Sequence, residues 1–138
     1  MSPLVDSGPD FGPGQVVCLE YGGLCLYAEA IQVVAARQVC WVRPLMLVTS
    51  VSEGNQVSQW QSQEAAQRFL WDLRDGADLL WPVSLFRAAL DTEVIPLLTQ
   101  LHSLGSEGKD ATAAHQELRH FVGQVWQAYP SAFQQSKL

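Results

Sequence analysis

The chain has 138 residues, in the range where one domain closes a single hydrophobic core without metal or disulfide staples. Hydrophobic residues make up 48% and charged ones only 16%, a balance that excludes a disordered chain. A formal net charge of -6 surrounds it with an acidic field that repels phosphate backbones, which disfavours direct nucleic-acid binding.

Residues 1–14, MSPLVDSGPDFGPG, hold three Pro and three Gly and read as a loose arm that Phe11 can dock. They lack the basic and apolar blocks of a secretory signal. The chain has no uninterrupted apolar run of about 18 residues, so no transmembrane segment is expected and a cytoplasmic location is.

From Gln15 the composition turns β-branched and aromatic. VVCLEY, Gly22-Gly23 and LCLYAEAIQVV predict two strands around a two-residue turn. With Tyr21 opposite Leu24, Cys18 falls across from Tyr27 and Cys25 across from Glu20, a register that implies no disulfide. VCWVRPLMLVTS predicts a third strand, apolar on both faces over part of its length and bent at Pro44, which is tolerated only at an edge or a bulge. Cys18, Cys25 and Cys40 read as buried free thiols.

Residues 50–63 are polar and read as a loop or hairpin tip, with Trp60 standing among Gln and Ser. EAAQRFLWDLRDG fits both helix and strand periods; a short helical start passing into a fourth strand is expected. In residues 78–104, Val83, Phe86, Leu90, Val94, Leu97, Leu101 and Leu104 recur every three or four positions. That spacing predicts a helix with one apolar side, Asp78 and Pro82 in its first turn, and a kink or break near Thr92 caused by Pro96. After two glycines Asp110 caps a last helix, its buried stripe formed by Ala111, Ala114, Leu118, Phe121, Val122, Val125, Trp126 and Tyr129. Pro130 ends it, and residues 131–138 read as a tail.

No catalytic signature emerges. His115 and His120 are five apart, which turns them about 140° from each other on a helix and prevents a shared metal. Ser84 lies in no nucleophile elbow, and GSEGKD lacks the spacing of a phosphate loop. Asp72, Asp75 and Asp78 lack the alternation of a calcium loop and read as turn and cap residues. No cofactor, catalytic group or metal ligand is assigned.

Arg43 and Arg87 sit in apolar contexts. Each either pairs internally, with Glu20, Glu29, Asp78 or Asp91 as candidates, or anchors a protein interface, where Arg and Trp are enriched. Of the five Trp, four fall on periodic apolar positions and fit a core. Trp60, Arg43 and Arg87 are therefore the candidate partner-binding residues.

CWVRPLMLV followed by DLLWPVSLFRAALDTEVIPLLTQLH resembles the small cyanobacterial accessory proteins of type IV pilus assembly and biofilm self-suppression, over about residues 15–104. The resemblance implies a non-enzymatic cytoplasmic component that associates with the pilus assembly ATPase and its companions; it carries no functional residues over.

The expected architecture is α+β: an N-terminal antiparallel meander of three or four curled strands, open or closed into a small barrel, packed on two or three C-terminal helices within one domain spanning residues 15–130. The expected function is a protein-interaction or adaptor module acting on a protein partner or on a second copy of itself. The alternative is a small-ligand or cofactor-handling protein with a pocket between sheet and helices.

Overall fold

The computed structural model describes residues 11–49, 69–104 and 111–136. Strands β1 (Val16–Tyr21), β2 (Leu24–Val34) and β3 (Val39–Thr49) form an antiparallel meander. Three shorter strands extend it, β4 (Leu70–Asp72), β5 (Leu79–Pro82) and β6 (Arg87–Ala88). Three helices follow, α1 (Asp91–Leu104), α2 (Ala111–Ala128) and α3 (Pro130–Ser136).

The β1–β2 hairpin has the expected register, with Tyr21 opposite Leu24 and Cys18 opposite Tyr27. Gly22 and Gly23 take φ of 62° and 82°, the left-handed conformation that a two-residue turn needs to match strand twist. No atom lies within 4 Å of where a Cβ on Gly23 would sit, so Gly23→Ala tests the backbone alone. A loss of about 1 kcal/mol in chemical denaturation is expected, from left-handed backbone strain rather than crowding.

Paired residues across β2 and β3 slip at two points, between Tyr27 and Ala28 and between Ala30 and Gln32. Leu45 is the extra residue at the first slip and Ile31 at the second. Pro44, opposite Ala28, thus lies at a bulge, as its missing N–H requires. It also lies between the stretch of β3 that pairs with β5 (Val39 to Val42) and the stretch that pairs with β4 (Met46 to Val48).

Bulges bend strands, and this sheet has to bend. β5 lies at one margin against β3, and β6 at the other against β1. In a flat sheet with strands about 4.8 Å apart, those margins stand about 19 Å from each other. The link between them is residues 83–86, and Val83–Leu85 is wound into a 3-10 turn that advances only about 2 Å per residue. The sheet therefore curls until the link reaches, yet its two margins do not pair with each other: it remains open and is not a barrel.

Both faces are covered, by different helices. On one face Val17, Leu19, Leu26, Ala28, Ala30, Val42 and Leu47 pack with Ala114, Leu118, Phe121 and Val125 of α2 and Phe133 of α3. On the other, Cys18, Cys25, Tyr27, Met46, Val48 and Leu70 pack with Val94, Leu97 and Leu101 of α1. The α+β class and the meander are as the sequence predicts; the layering is helix, sheet, helix.

Several elements differ from expectation. The single apolar rod over residues 78–104 does not form: β5, the 3-10 turn and β6 occupy residues 79–88, and the helix starts at Asp91. Val83 and Phe86 serve the α2 core whereas Val94 and Leu97 serve the α1 core, so one periodic pattern supplies two opposite faces. Pro96 sits inside α1 at an exposed position, and the helix runs unbroken from Asp91 to Leu104 rather than breaking near Thr92. Residues 131–138 were expected as a tail, but Pro130–Ser136 forms α3, whose Phe133 meets Trp81 edge-on with ring centroids 5.3 Å apart. Phe11 is buried and fastens the end of the expected arm. The expected loop of residues 50–63, including Trp60, the helical start before β4, and the cap at Asp110 lie outside the described residues.

Candidate functional site

Two polar clusters are each built on one of the arginines singled out above, separate from the ion pair that joins Arg74 to Asp72 at 2.9 Å. The first lies where β6 turns into α1. Arg87 pairs with Cys18 in the ladder and extends its guanidinium to both oxygens of Glu93, at 3.0 and 3.1 Å, and to Glu20 Oε2 at 3.2 Å. Glu93 accepts further bonds from the Tyr27 hydroxyl at 2.7 Å and from the Leu90 N–H at 2.9 Å.

The Leu90 bond is one half of a capping box. Leu90 precedes the helix and has no side-chain oxygen to offer, so Glu93 in the first turn reaches back to an otherwise orphaned donor. The Arg87 hydrogen bonds, opposed by desolvation and aided by Leu90 and Tyr27, hold the Glu93 carboxyl down at about 2. The Tyr27 hydroxyl is pushed up by burial and by its bond to Glu93, and Arg87 is held firmly protonated. This cluster ties the start of α1 to the sheet.

The second cluster lies on β3 and β5. Trp41 stands opposite Leu80 across the ladder and Gln32 stands opposite Trp41 on β2, so the three form one row on one face. Trp41 Nε1 donates to Asp78 Oδ2 at 2.8 Å and Arg43 Nε to Asp78 Oδ1 at 3.2 Å. Those two bonds draw the Asp78 carboxyl below the usual range, Trp41 contributing most. Trp41 and Leu80 keep 39% and 42% of their surface exposed. The residues α1 covers lie farther along the strands, around Tyr27 and Met46, so among the described residues α1 leaves the Trp41 row open.

Among the sequence candidates, Arg43 and Arg87 fall in separate clusters, and each pairs with an acid the sequence nominated, Asp78 and Glu20 respectively. Glu93 was missed as the principal partner of Arg87. Its signal was a Glu three residues after the helix boundary, but the absence of Ser, Thr, Asp or Asn at Leu90 hid that boundary. Leu80 was missed because a helical reading of residues 78–104 gives it no strand partner.

The tryptophans do not all enter the core. Trp81 is buried and Trp71 partly so, whereas Trp41 and Trp126 are exposed. The histidines His102, His115 and His120 are exposed. The three cysteines are free and buried. Among the described residues no group of three or more His, Cys, Asp or Glu is placed to hold a metal ion, and no helix is long and apolar enough to cross a membrane. Comparison of the chain with protein-family models, curated proteins and solved structures found no match.

Proposed function

We propose that this chain is a non-enzymatic protein-interaction module, an adaptor that engages a protein partner through the open face carrying Trp41, Leu80 and Arg43. One observation carries the reading: an indole and an aliphatic side chain lie exposed and opposite each other on two paired strands, beside an arginine. Trp and Arg dominate the energetics of interfaces because each buries a large rigid area and still supplies directed hydrogen bonds. The ladder holds Trp41 in place, and its bond to Asp78 fixes the ring, so little side-chain entropy remains to be lost on docking.

The resemblance to pilus accessory proteins supplies the kind of partner: a component of a cytoplasmic assembly such as the type IV pilus machinery, its ATPase complex first. The acidic net charge favours a partner with a basic docking patch.

Affinity purification at native expression, followed by mass spectrometry, tests this with Trp41→Ser and Arg43→Glu beside the unaltered chain. The expected result is one partner recovered stoichiometrically with the unaltered chain and depleted at least about tenfold with either variant, the loss that about 1.4 kcal/mol at an interface residue produces. Recovery of the bait alone, or equal recovery with both variants, overturns the proposal.

A further inference from the structure

Beside the exposed indole of Trp41 stands a carboxylate that the ion pairs of the fold leave over. Glu29 lies directly opposite Arg43 across the β2–β3 ladder, yet Arg43 turns its guanidinium the other way, to Asp78. Glu29 leans toward the chain that precedes β1, its Oε2 3.9 Å from the position a Cβ on Gly14 would take. The residue is partly buried, and among the described residues it makes no hydrogen bond or ion pair. A carboxylate drawn back from water without a counter-charge is costly, and that cost falls when a cation arrives.

Trp41 and Arg43 alternate on one face of β3, so Glu29 is a diagonal neighbour of Trp41, about 7–8 Å away at the backbone. The indole is held at its edge by Asp78 and keeps its surface open: among the described residues it stacks on no other ring and under no cation. Asp78 and Arg43 cancel each other, which leaves the face with the negative charge of Glu29. Arg37 lies past Trp41 in the turn between β2 and β3, on the side away from Glu29.

We propose that this face takes a lysine or arginine of the protein partner, its aliphatic stem laid across the Trp41 indole and its charged head at Glu29. The inference rests on the docking reading above and adds the chemistry of the contact. Lys and Arg bury their stems along apolar surface while the head stays at a polar margin, and a cation beside an indole is attracted by the ring face. An acidic side chain would be repelled by Glu29, and an apolar one would cover the carboxylate without neutralising it. On the other side of Trp41, Leu80 takes an apolar neighbour of the basic residue. The net charge of -6 draws a basic segment in from a distance, and Glu29 decides where it seats.

The test pans a library of random peptides against the folded chain. Enrichment of peptides that set a Lys or Arg beside a large apolar residue is expected, and Trp41→Ser should abolish it. A selected peptide, followed by fluorescence anisotropy, should lose about tenfold in affinity when its basic residue becomes Gln, and about tenfold against Glu29→Gln, with no further loss when the two changes are combined. Panning against Glu29→Lys should select Asp or Glu in place of the basic residue. The substitution in the peptide keeps the test independent of how the variants fold. Peptides that bind through Trp41 without a basic residue, or that bind Glu29→Gln as tightly as the unaltered chain, overturn the inference and leave the docking reading standing. No enrichment above that on an unrelated acidic protein, or enrichment that Trp41→Ser leaves intact, overturns both.

Discussion

Phe121→Ala should cost about 4 kcal/mol of folding free energy, the middle of the range for deleting a buried aromatic ring. Phe121 has no exposed surface and stands midway along the α2 stripe of Ala114, Leu118 and Val125, facing strand residues that are themselves fully enclosed. The cost is high because the site cannot collapse. The sheet beneath is held on its far side by α1, so neither wall moves into the space, and the lost contacts are added to the lost transfer energy. Trp126→Ala, five residues along the same helix but with 52% of the residue exposed, should cost under about 1 kcal/mol. Urea midpoints of the two variants check this; a Phe121→Ala loss below that of Trp126→Ala would show that α2 does not seat on the sheet as described.

Glu93→Gln should cost about 2 kcal/mol at neutral pH. A neutral amide still accepts from the Leu90 N–H but leaves Arg87 without its principal counter-charge and weakens the bond from Tyr27. The pH dependence is the sharper test. In the native state the Glu93 carboxyl stays ionised down to about 2, against an ordinary 4.5. Between those values the unfolded chain binds the proton and the folded chain does not. The contribution is therefore complete above 4.5 and is lost as pH falls through about 2. Denaturation curves across this acid range should show the unaltered chain losing its advantage over Glu93→Gln as pH falls. An advantage that stays constant to the lowest pH would mean that the Arg87–Glu93 pair is not formed.

Local alternation carried most of the sheet. The Gly22-Gly23 turn fixes the β1–β2 register, and the double-sided apolar pattern of β3 signals helices on both faces of the strand. Pro44 marks the bulge for a reason internal to proline, so it too was legible. Residues 78–104 were misread because spacing in three and four does not distinguish a helix from a strand, a turn and a second strand followed by a helix. Val83 and Phe86 keep the helical period with Val94 and Leu97 yet serve the opposite face. Which side of a sheet a segment covers depends on long-range placement, and no window along the chain contains it. Trp126 illustrates the same limit: its helical position is apolar in pattern, but it is 52% exposed beside fully buried Val125, and the indole rests on Phe133 of α3, ring centroids 4.2 Å apart. Of the candidate site, the arginines and two of their acids were visible as charges among apolar neighbours. Glu93 and Leu80 acquire roles only once the chain crosses from β5 to β6.

That crossing behaves as a ruler. A tether of fixed length between the two outermost strands makes width and curvature one variable: inserting a strand anywhere between them would demand a rounder sheet or a longer tether. Residues 83–86 can lengthen only if the whole sheet opens out, and with it the shape of both cores.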